Sequence, residues 1–195
     1  EPVFIIKDNL RTPARTEYGK ISIDGYSNSQ GGRKYGSKAA GFIGYKHLLK
    51  AVGFIYGRPK IKDDLHNQIM LAAEFCGFQA YYEHTADDYL GYFRDRGKIR
   101  YLGKYPMSMI DPVKIRDAQR QNKEVERFYG TPITPYSLTK QHDNGMAYFE
   151  HHCHCIDFEE VLEWAPKFDP YNRTECDIIV SLLILISLLL EPNKK

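Results

Sequence analysis

The feature that most constrains this chain is an apolar run close to its C-terminus, IIVSLLILISLLL at residues 178–190. A helix formed by this run would be apolar on every side, and such a helix is buried in a core or crosses a membrane. A crossing needs about 20 apolar residues, whereas this run has about thirteen. We therefore expect a core helix and no membrane partner.

Length and composition point to one domain, residues 1–195, that is large enough to enclose such a helix. The net charge of +2 and the charged fraction of 27% are ordinary globular values. A polyanionic partner would therefore have to be met by local basic patches. The four cysteines are too few and too unevenly spaced for a secreted disulfide framework, which favours reduced thiols in a cytosolic setting.

From Lys20 onward the apolar residues first alternate with period two, in three runs joined by short polar or glycine-containing links. The runs are ISID, AAGFIGYK and KAVGFIYG, and they predict an antiparallel meander of three strands. After Gly57 the period changes to that of an amphipathic helix. Asp63 and Asp64 lie in its first turn, and Gly77 stands just past its end.

Further alternation of strand and helix follows. FQAYYE at residues 78–83 predicts a short aromatic strand. Thr85 and Asp88 are a plausible capping pair for the next helix, which Gly97 ends. IRYLG at residues 99–103 predicts one more strand. Strand-helix-strand crossovers of this kind imply parallel pairing, so we expect an α/β fold whose mixed sheet has helices on its faces.

The remaining segments complete a recognisable order of elements. Residues 1–17 are interpreted as an N-terminal linker or extension, and the charged stretch 107–135 as an insertion outside the core sheet. Helices are predicted around 136–149 and 158–164, before the final apolar helix from about Glu175. Meander, helix, strand, helix, strand and terminal helices are the element order of the ribonuclease H-like fold.

Three carboxylates are predicted to meet at one end of this sheet. Asp24 and Glu83 end two strands that should lie side by side and parallel, and Asp177 opens the buried helix, where the helix dipole tolerates a negative charge. Three such groups repel one another unless a cation lies among them. Taken singly, each acid is more often a turn former or helix cap than a metal ligand. Their joint placement favours a site for two divalent ions.

Hard oxygen ligands suit Mg²⁺ or Mn²⁺. Two such ions about 4 Å apart can hold the attacking water and the leaving oxygen of a phosphodiester in line. In this interpretation Asp24 bridges both ions, while Glu83 and Asp177 each complete the coordination of one. The same three residues are therefore the predicted catalytic and metal-binding residues.

At this point the chain resembles a known family, the C-terminal nuclease domain of the large terminase subunit, which is the DNA-packaging motor protein of tailed bacteriophages. Four pieces carry the resemblance over most of residues 18–191: the strand ending in ISID, the stretch YGRPKIKDDLHNQIMLAAEFCGFQAYYEHTADDYLGYF, the segment RFYGTPITP, and the acid that opens the apolar helix in CDIIVSLLILISLLL. Each motif is loose, whereas their order and spacing are fairly specific.

The resemblance implies a metal-dependent endonuclease that cuts concatemeric double-stranded viral DNA at the start and end of packaging, with Asp24, Glu83 and Asp177 matching the family's acidic triad. It implies an N-terminal ATPase domain outside this sequence, and contacts of the full-length protein with the phage portal and the small terminase subunit. The isolated domain is expected to be a monomer. The expected location is the host cell cytoplasm, at the procapsid.

The chain departs from the family pattern at two places. The first motif of the family commonly continues with Pro and then a second acid, whereas here Asp24 is followed by Gly25, Ser27 and Asn28. The position before the final acid, often acidic in the family, is Cys176. These departures imply weaker metal affinity or a preference for Mn²⁺.

Several other residues are candidates for supporting roles. His84 is a candidate for proton transfer or water positioning, and Asp87 and Asp88 are possible substitute acids or first-turn helix charges. Basic residues in two groups, the glycine-rich turn after the first strand and the region near the predicted active end, are candidates for DNA contact: Arg33, Lys34, Lys38, Arg94, Arg96, Lys98 and Arg100. For the basic residues a solvated face or turn is the default interpretation and DNA contact the alternative, and for His84 the default is a polar neighbour without a catalytic role.

Other interpretations remain open at this stage. Another ribonuclease H-like nuclease, such as a junction resolvase or transposase core, would place its acids similarly. A non-catalytic DNA-binding or motor-docking module is the alternative outside enzymology. HHCHC at residues 151–155 predicts a strand or loop with alternating buried cysteines, in preference to a zinc site, because no second ligand cluster exists.

Overall fold

Five strands form one open mixed sheet in the order β1-β4-β3-β2-β5. The structure, a computed structural model, describes residues 19–25, 38–83, 89–170 and 176–192, together with the backbone of residues 3–6. The strands are β1 (Val3–Ile6), β2 (Gly19–Asp24), β3 (Ala39–Tyr45), β4 (Lys50–Gly57) and β5 (Gln79–Tyr82). The helices are α1 (Lys62–Cys76), α2 (Tyr89–Asp95), α3 (Pro112–Arg120), α4 (Pro135–His152), α5 (Glu159–Trp164) and α6 (Asp177–Leu189).

The predicted meander is confirmed. β2, β3 and β4 pair antiparallel in succession, and β5 joins the free side of β2 in parallel, with Ile21 opposite Ala80. The α/β architecture with a mixed sheet and flanking helices is therefore as the sequence predicts. One parallel pair is present, and the other strands of the sheet pair antiparallel.

Two strand assignments from the sequence need correction. Residues 3–6, which the sequence interpretation places in a linker, form β1 and pair antiparallel with β4. The predicted strand 99–103 is wrong, because Ile99–Tyr101 is a turn of 3₁₀ helix and only Leu102 bridges to Ala80. Gly103 then donates its backbone N–H to the Ala80 carbonyl at 2.9 Å. A Cβ at Gly103 would lie 2.1 Å from the Tyr81 ring, so chain and ring are in close contact there.

The two faces of the sheet are covered by different helices. Ile21, Ile23 and Tyr82 point to the face on which α1 and α2 pack. The opposite face carries α6, with α4 and α5 packed around it. Every residue of α6 from Ile178 to Leu189 is buried, which confirms the predicted core helix. No helix among the described residues combines the length and the apolar character that a membrane crossing needs.

The helix predictions are largely confirmed. α1 has Asp63 and Asp64 in its first turn, and Gly77 caps its end in the left-handed conformation, with φ of 68°. α2, α4 and α5 occupy the predicted positions. The proposed capping pair of α2, Thr85 and Asp88, lies outside the described residues.

The prediction for residues 151–155 is wrong. α4 continues to His152, and Cys153–Cys155 is a 3₁₀ turn in which Cys153 is exposed. The thiol groups therefore do not alternate into the core. The reason is that α4 extends further than its apolar pattern indicates, so His151 and His152 lie in its last turn and the cysteines in the 3₁₀ turn that follows.

The charged stretch 107–135 has two distinct parts. Its helix α3 buries no residue, in keeping with a segment outside the core sheet. Its last part returns to the sheet, because Thr131 is fully buried and forms an isolated bridge with Glu83 just beyond the end of β5.

Candidate metal centre

Asp24 and Glu83 end neighbouring strands of the sheet. β2 and β5 run parallel in register up to Ile23 opposite Tyr82. The backbone N–H of Glu83 then donates to the Ile23 carbonyl at 3.1 Å, which continues the ladder by one residue. The backbone of Glu83 therefore lies directly beside that of Asp24.

Asp177 lies at the same end of the sheet because α6 runs antiparallel to β2. The C-terminal end of α6 is near the start of β2, since the Lys46 ammonium, next to the partner of Gly19, donates to the Glu191 carbonyl. In the middle, the hydroxyls of Ser22 and Ser181 are 3.1 Å apart and fully buried.

Along β2 and along α6, the distance from the contact between Ser22 and Ser181 to the acid is about the same. Two residues along β2, about 6.6 Å, lead from Ser22 to Asp24. Four residues back along α6, about 6 Å, lead from Ser181 to Asp177 on the same helix face. The match between one helical turn and two strand residues brings the two acids to the same level.

A direct hydrogen bond supports this alignment. The backbone N–H of Lys38 donates to Asp177 Oδ2 at 2.9 Å. Lys38 immediately precedes β3, whose residue Ala40 is the partner of Asp24 in the sheet. The residue that binds the Asp177 carboxylate is thus only two positions from Ala40, the residue opposite Asp24.

The three acids also belong to one face of the sheet. Asp24 alternates with Ser22, which contacts α6. Glu83 alternates with Tyr81, which packs against Val180 and Ile184 of α6. We call this end of the sheet, with Asp24, Glu83 and Asp177, the acidic end.

The donor set of the acidic end fits a divalent cation, because three carboxylates supply the hard oxygens that Mg²⁺ and Mn²⁺ prefer. Asp24 is only 7% exposed, and a buried carboxylate needs compensation by donors or a cation. In the part of the chain that the structure describes, no group of three His, Cys, Asp or Glu side chains is already placed to hold a metal ion. The three acids are therefore not arranged as a ready metal site in this structure.

The sequence interpretation did not assign Thr131, which adjoins Glu83. Its N–H donates to the Tyr82 carbonyl at 2.7 Å, and its hydroxyl donates to the same oxygen at 3.2 Å. Gly130 has φ of 95°, and a Cβ there would lie 2.6 Å from the Tyr82 carbonyl oxygen. The Gly-Thr pair inside RFYGTPITP is the signal that indicates this close contact.

The predicted DNA-contacting and auxiliary residues fall into three groups. Lys38 lies at the acidic end, where its ammonium is 4.8 Å from the centroid of the Tyr56 ring. Arg33, Lys34, His84, Asp87 and Asp88 lie outside the described residues. The third group contains Arg94, Arg96, Lys98 and Arg100.

The expectation that this third group lies near the acids is wrong. The Arg100 carbonyl accepts a hydrogen bond from the Gln79 side chain, and Gln79 pairs with Lys20 at the start of β2. Lys98 forms a salt bridge with Glu74, in the last turn of α1. The physical reason is that α2 carries the chain back from the end of β5 to its beginning, so the basic residues lie at the opposite end of the strands.

Comparison with known proteins adds no family to this geometry. No protein-family model matches the sequence, and no curated protein matches it significantly. The functional assignment therefore depends on the arrangement of the residues themselves and on the resemblance in their order.

Proposed function

We propose that this chain is a metal-dependent endonuclease domain that hydrolyses phosphodiester bonds of double-stranded DNA, of the kind found in the large terminase subunit of tailed bacteriophages. The observation that carries the proposal is the common position of Asp24, Glu83 and Asp177. They come from two parallel neighbouring strands and from the first residue of the helix that crosses them.

The strand order supports a ribonuclease H-like fold as part of this proposal. Within the sheet, β4-β3-β2 is an antiparallel meander, and β5 lies parallel to the first strand of that meander. The connection from β4 to β5 passes through α1, which covers the face opposite to α6. This order is the one that the sequence interpretation assigns to that fold.

The proposed roles follow from the positions of the acids. Asp24, in the centre of the acidic end, would bind both ions, while Glu83 and Asp177 would each bind one. Bound Mg²⁺ or Mn²⁺ supplies Lewis-acid stabilisation and a water of lowered pKa. Lys38, the one predicted DNA contact described at this end, would hold a phosphate of the substrate.

The biological setting is the part of the proposal that depends on the resemblance alone. It places the reaction in the host cell cytoplasm at the procapsid, during cutting of concatemeric viral DNA. The portal, the small terminase subunit and an ATPase domain are then partners of the full-length protein.

The proposal is tested by incubating supercoiled plasmid with the protein in Mn²⁺ or Mg²⁺ and measuring nicked and linear products. We expect cleavage that EDTA abolishes. Asp24→Asn should lower the rate by at least about 100-fold, since it removes the ligand shared by both ions. The matched control is Asp117→Asn on the exposed helix α3, which should cut at the wild-type rate. Wild-type cleavage by Asp24→Asn would refute the assignment.

A second candidate is a non-catalytic DNA-binding or docking module. Two observations favour it. No described cluster of side chains is ready to hold a metal ion. In addition, Gly25 follows Asp24 where the family commonly has Pro, and Cys176 occupies a position that is often acidic in the family. This candidate predicts duplex binding with no cleavage in either metal. A gel-shift measurement beside the plasmid assay distinguishes the two functions.

A further inference from the structure

A second candidate site lies at the end of the sheet opposite to the acids. It is a cleft of about 650 Å³ between the start of β2, the start of β5 and the chain around residues 99–106 and 127–129. Glu191 and Pro192, just after α6, line one side. We call it the basic cleft. Its charged lining residues are Lys20, Lys46, Arg100, Lys104, Arg127 and Glu191.

The charge of the basic cleft is strongly unbalanced. Five cationic side chains face one carboxylate, although the net charge of the whole chain is only +2. Within the described ranges, none of the five cations forms a salt bridge with a carboxylate. The single acid, Glu191, accepts a hydrogen bond from the Met107 N–H at 3.0 Å through its Oε1. The five cations therefore repel one another, and Glu191 is the single lining carboxylate that offsets them.

Lys20 is the most informative of the five. Its ammonium donates to the Tyr81 hydroxyl at 3.2 Å, and that hydroxyl donates in turn to Gln79 Oε1 at 3.3 Å. Tyr81 is only 5% exposed, so Lys20 projects from the interior side of the cleft. Burial lowers the pKa of Lys20, Glu191 opposes this effect, and Lys46 adds to it. Within the folded protein, the charged form of Lys20 is thus incompletely compensated for its loss of solvation.

We propose that the basic cleft binds the phosphate groups of a small phosphorylated ligand of nucleotide size. A polyphosphate anion would supply the counter-charge that the five cations lack, and charge-assisted bonds to phosphate are among the stronger hydrogen bonds in proteins. This site is independent of the proposed nuclease function.

The shape of the cleft favours a small ligand over a DNA duplex. Its volume lies within the range of roughly 300–1,000 Å³ that is typical of small-molecule sites. Lys20 and Lys46 are half-buried, while Arg100 and Lys104 are exposed at the rim. The half-buried position of Lys20 suits a ligand that enters the cleft, whereas a rigid duplex would contact the exposed rim first. The ring of Tyr129, 5.5 Å from the Lys104 ammonium, offers an aromatic surface for a base.

The cleft is also separate from the acidic end. Lys20 and Asp24 are at opposite ends of the same strand, four residues or about 13 Å apart along β2. Binding can therefore be measured in EDTA, where no divalent ion occupies the acids. Failure of the nuclease proposal would leave this measurement unaffected.

The experiment is calorimetric titration of the protein with pyrophosphate, AMP and ATP in EDTA at low salt. We expect pyrophosphate to bind, and Lys20→Met and Arg127→Gln each to weaken binding by at least about tenfold. The matched control is Arg116→Gln on the exposed helix α3, which removes the same charge outside the cleft and should bind normally. Binding of AMP as tight as that of pyrophosphate, despite its single phosphate, would identify a nucleotide as the source of the phosphates.

A second readout shows that the variants are folded. Lys20→Met removes a poorly solvated cation and keeps the length of the side chain, so its melting temperature should equal or exceed that of the wild type. The proposal is overturned if none of the three anions binds at millimolar concentration. It is equally overturned if both cleft variants bind like Arg116→Gln, or if duplex DNA alone binds in a Lys20-dependent way.

Discussion

At the scale of single residues, one tyrosine holds a strained turn. Leu49, in the turn between β3 and β4, has φ of 48°, a left-handed conformation that costs a residue with a side chain about 1–2 kcal/mol. The Tyr148 hydroxyl of α4 donates to the Leu49 carbonyl at 2.6 Å. Tyr148 is 2% exposed. The hydrogen bond therefore links the turn to a buried side chain of α4 and stabilises the conformation of the turn.

We predict that Tyr148→Phe lowers the free energy of unfolding by about 1–2 kcal/mol, because the part-buried Leu49 carbonyl loses its donor. Urea unfolding followed by circular dichroism measures the change. Tyr136→Phe, near the start of the same helix, is the matched control and should change stability by less than about 0.5 kcal/mol. Equal losses in the two variants would contradict this role of Tyr148.

The buried thiol of Cys76 should contribute to the loss of stability at alkaline pH. Burial raises the pKa of Cys76 from 9.0 to about 11. Between these values the unfolded chain releases the thiol proton while the folded chain retains it, so stability falls as pH rises. Ionisation of the Cys76 thiol in the unfolded chain should lower the free energy of unfolding by roughly 2–3 kcal/mol at pH 11.

Cys76→Ala removes this titration. We predict that the decline in unfolding free energy between pH 9 and pH 11 becomes shallower in the variant, whatever its stability at pH 7. The measurement is urea unfolding at several pH values across that interval. Parallel pH profiles for variant and wild type would rule out a contribution from Cys76.

At the scale of elements, the contact of α6 with β2 fixes the level of the acidic end. Ser22 and Ser181 share a hydrogen bond in a region that is otherwise apolar, and both side chains are fully buried. A polar pair of this kind specifies one register of helix against strand, because any axial shift leaves two buried hydroxyls without partners. That register is what brings Asp177 to the level of Asp24.

We predict a coupling of about 1 kcal/mol between Ser22 and Ser181. Ser22→Ala and Ser181→Ala should each destabilise the fold, and the double variant should lose less than the sum, since no hydroxyl then remains unpaired. Ser187, which lies on α6 like Ser181, supplies the control. Its hydroxyl accepts a hydrogen bond from the side chain of Asn144 on α4 at 3.2 Å. Ser22→Ala with Ser187→Ala should be additive within about 0.5 kcal/mol. Additivity of the Ser22 and Ser181 changes would show that the bond does not determine the register.

Sequence patterns predicted the elements whose periodicity is strong and local. Alternation identified β2, β3 and β4, and Asp63, Asp64 and Gly77 marked the limits of α1. The sequence did not predict β1, because four apolar residues carry too little periodic signal and because the strand depends on its distant partner β4. Ile99–Leu102 reads as a strand by composition, but its own 3₁₀ hydrogen bonds compete with sheet pairing.

At the scale of the whole molecule, the parallel strands β2 and β5 separate two chemically opposite regions. Their C-terminal ends carry Asp24 and Glu83, and their N-terminal ends carry Lys20 and the other cations of the basic cleft. The acidic end could be predicted because topology alone brings the ends of parallel neighbours together. The basic cleft could not, since its lining comes from six separate stretches of the chain, and the half-buried Lys20 at the start of an apolar strand was its only local signal.

The central claim is that the acidic end binds divalent ions, and a crystal soaked in Mn²⁺ tests it most directly. We predict anomalous peaks at coordination distance from carboxylate oxygens of Asp24, with Glu83 and Asp177 as further ligands, and no such peaks in crystals of Asp24→Asn. Crystals of the wild type that show no manganese at these three residues, or show it only elsewhere, would contradict the account.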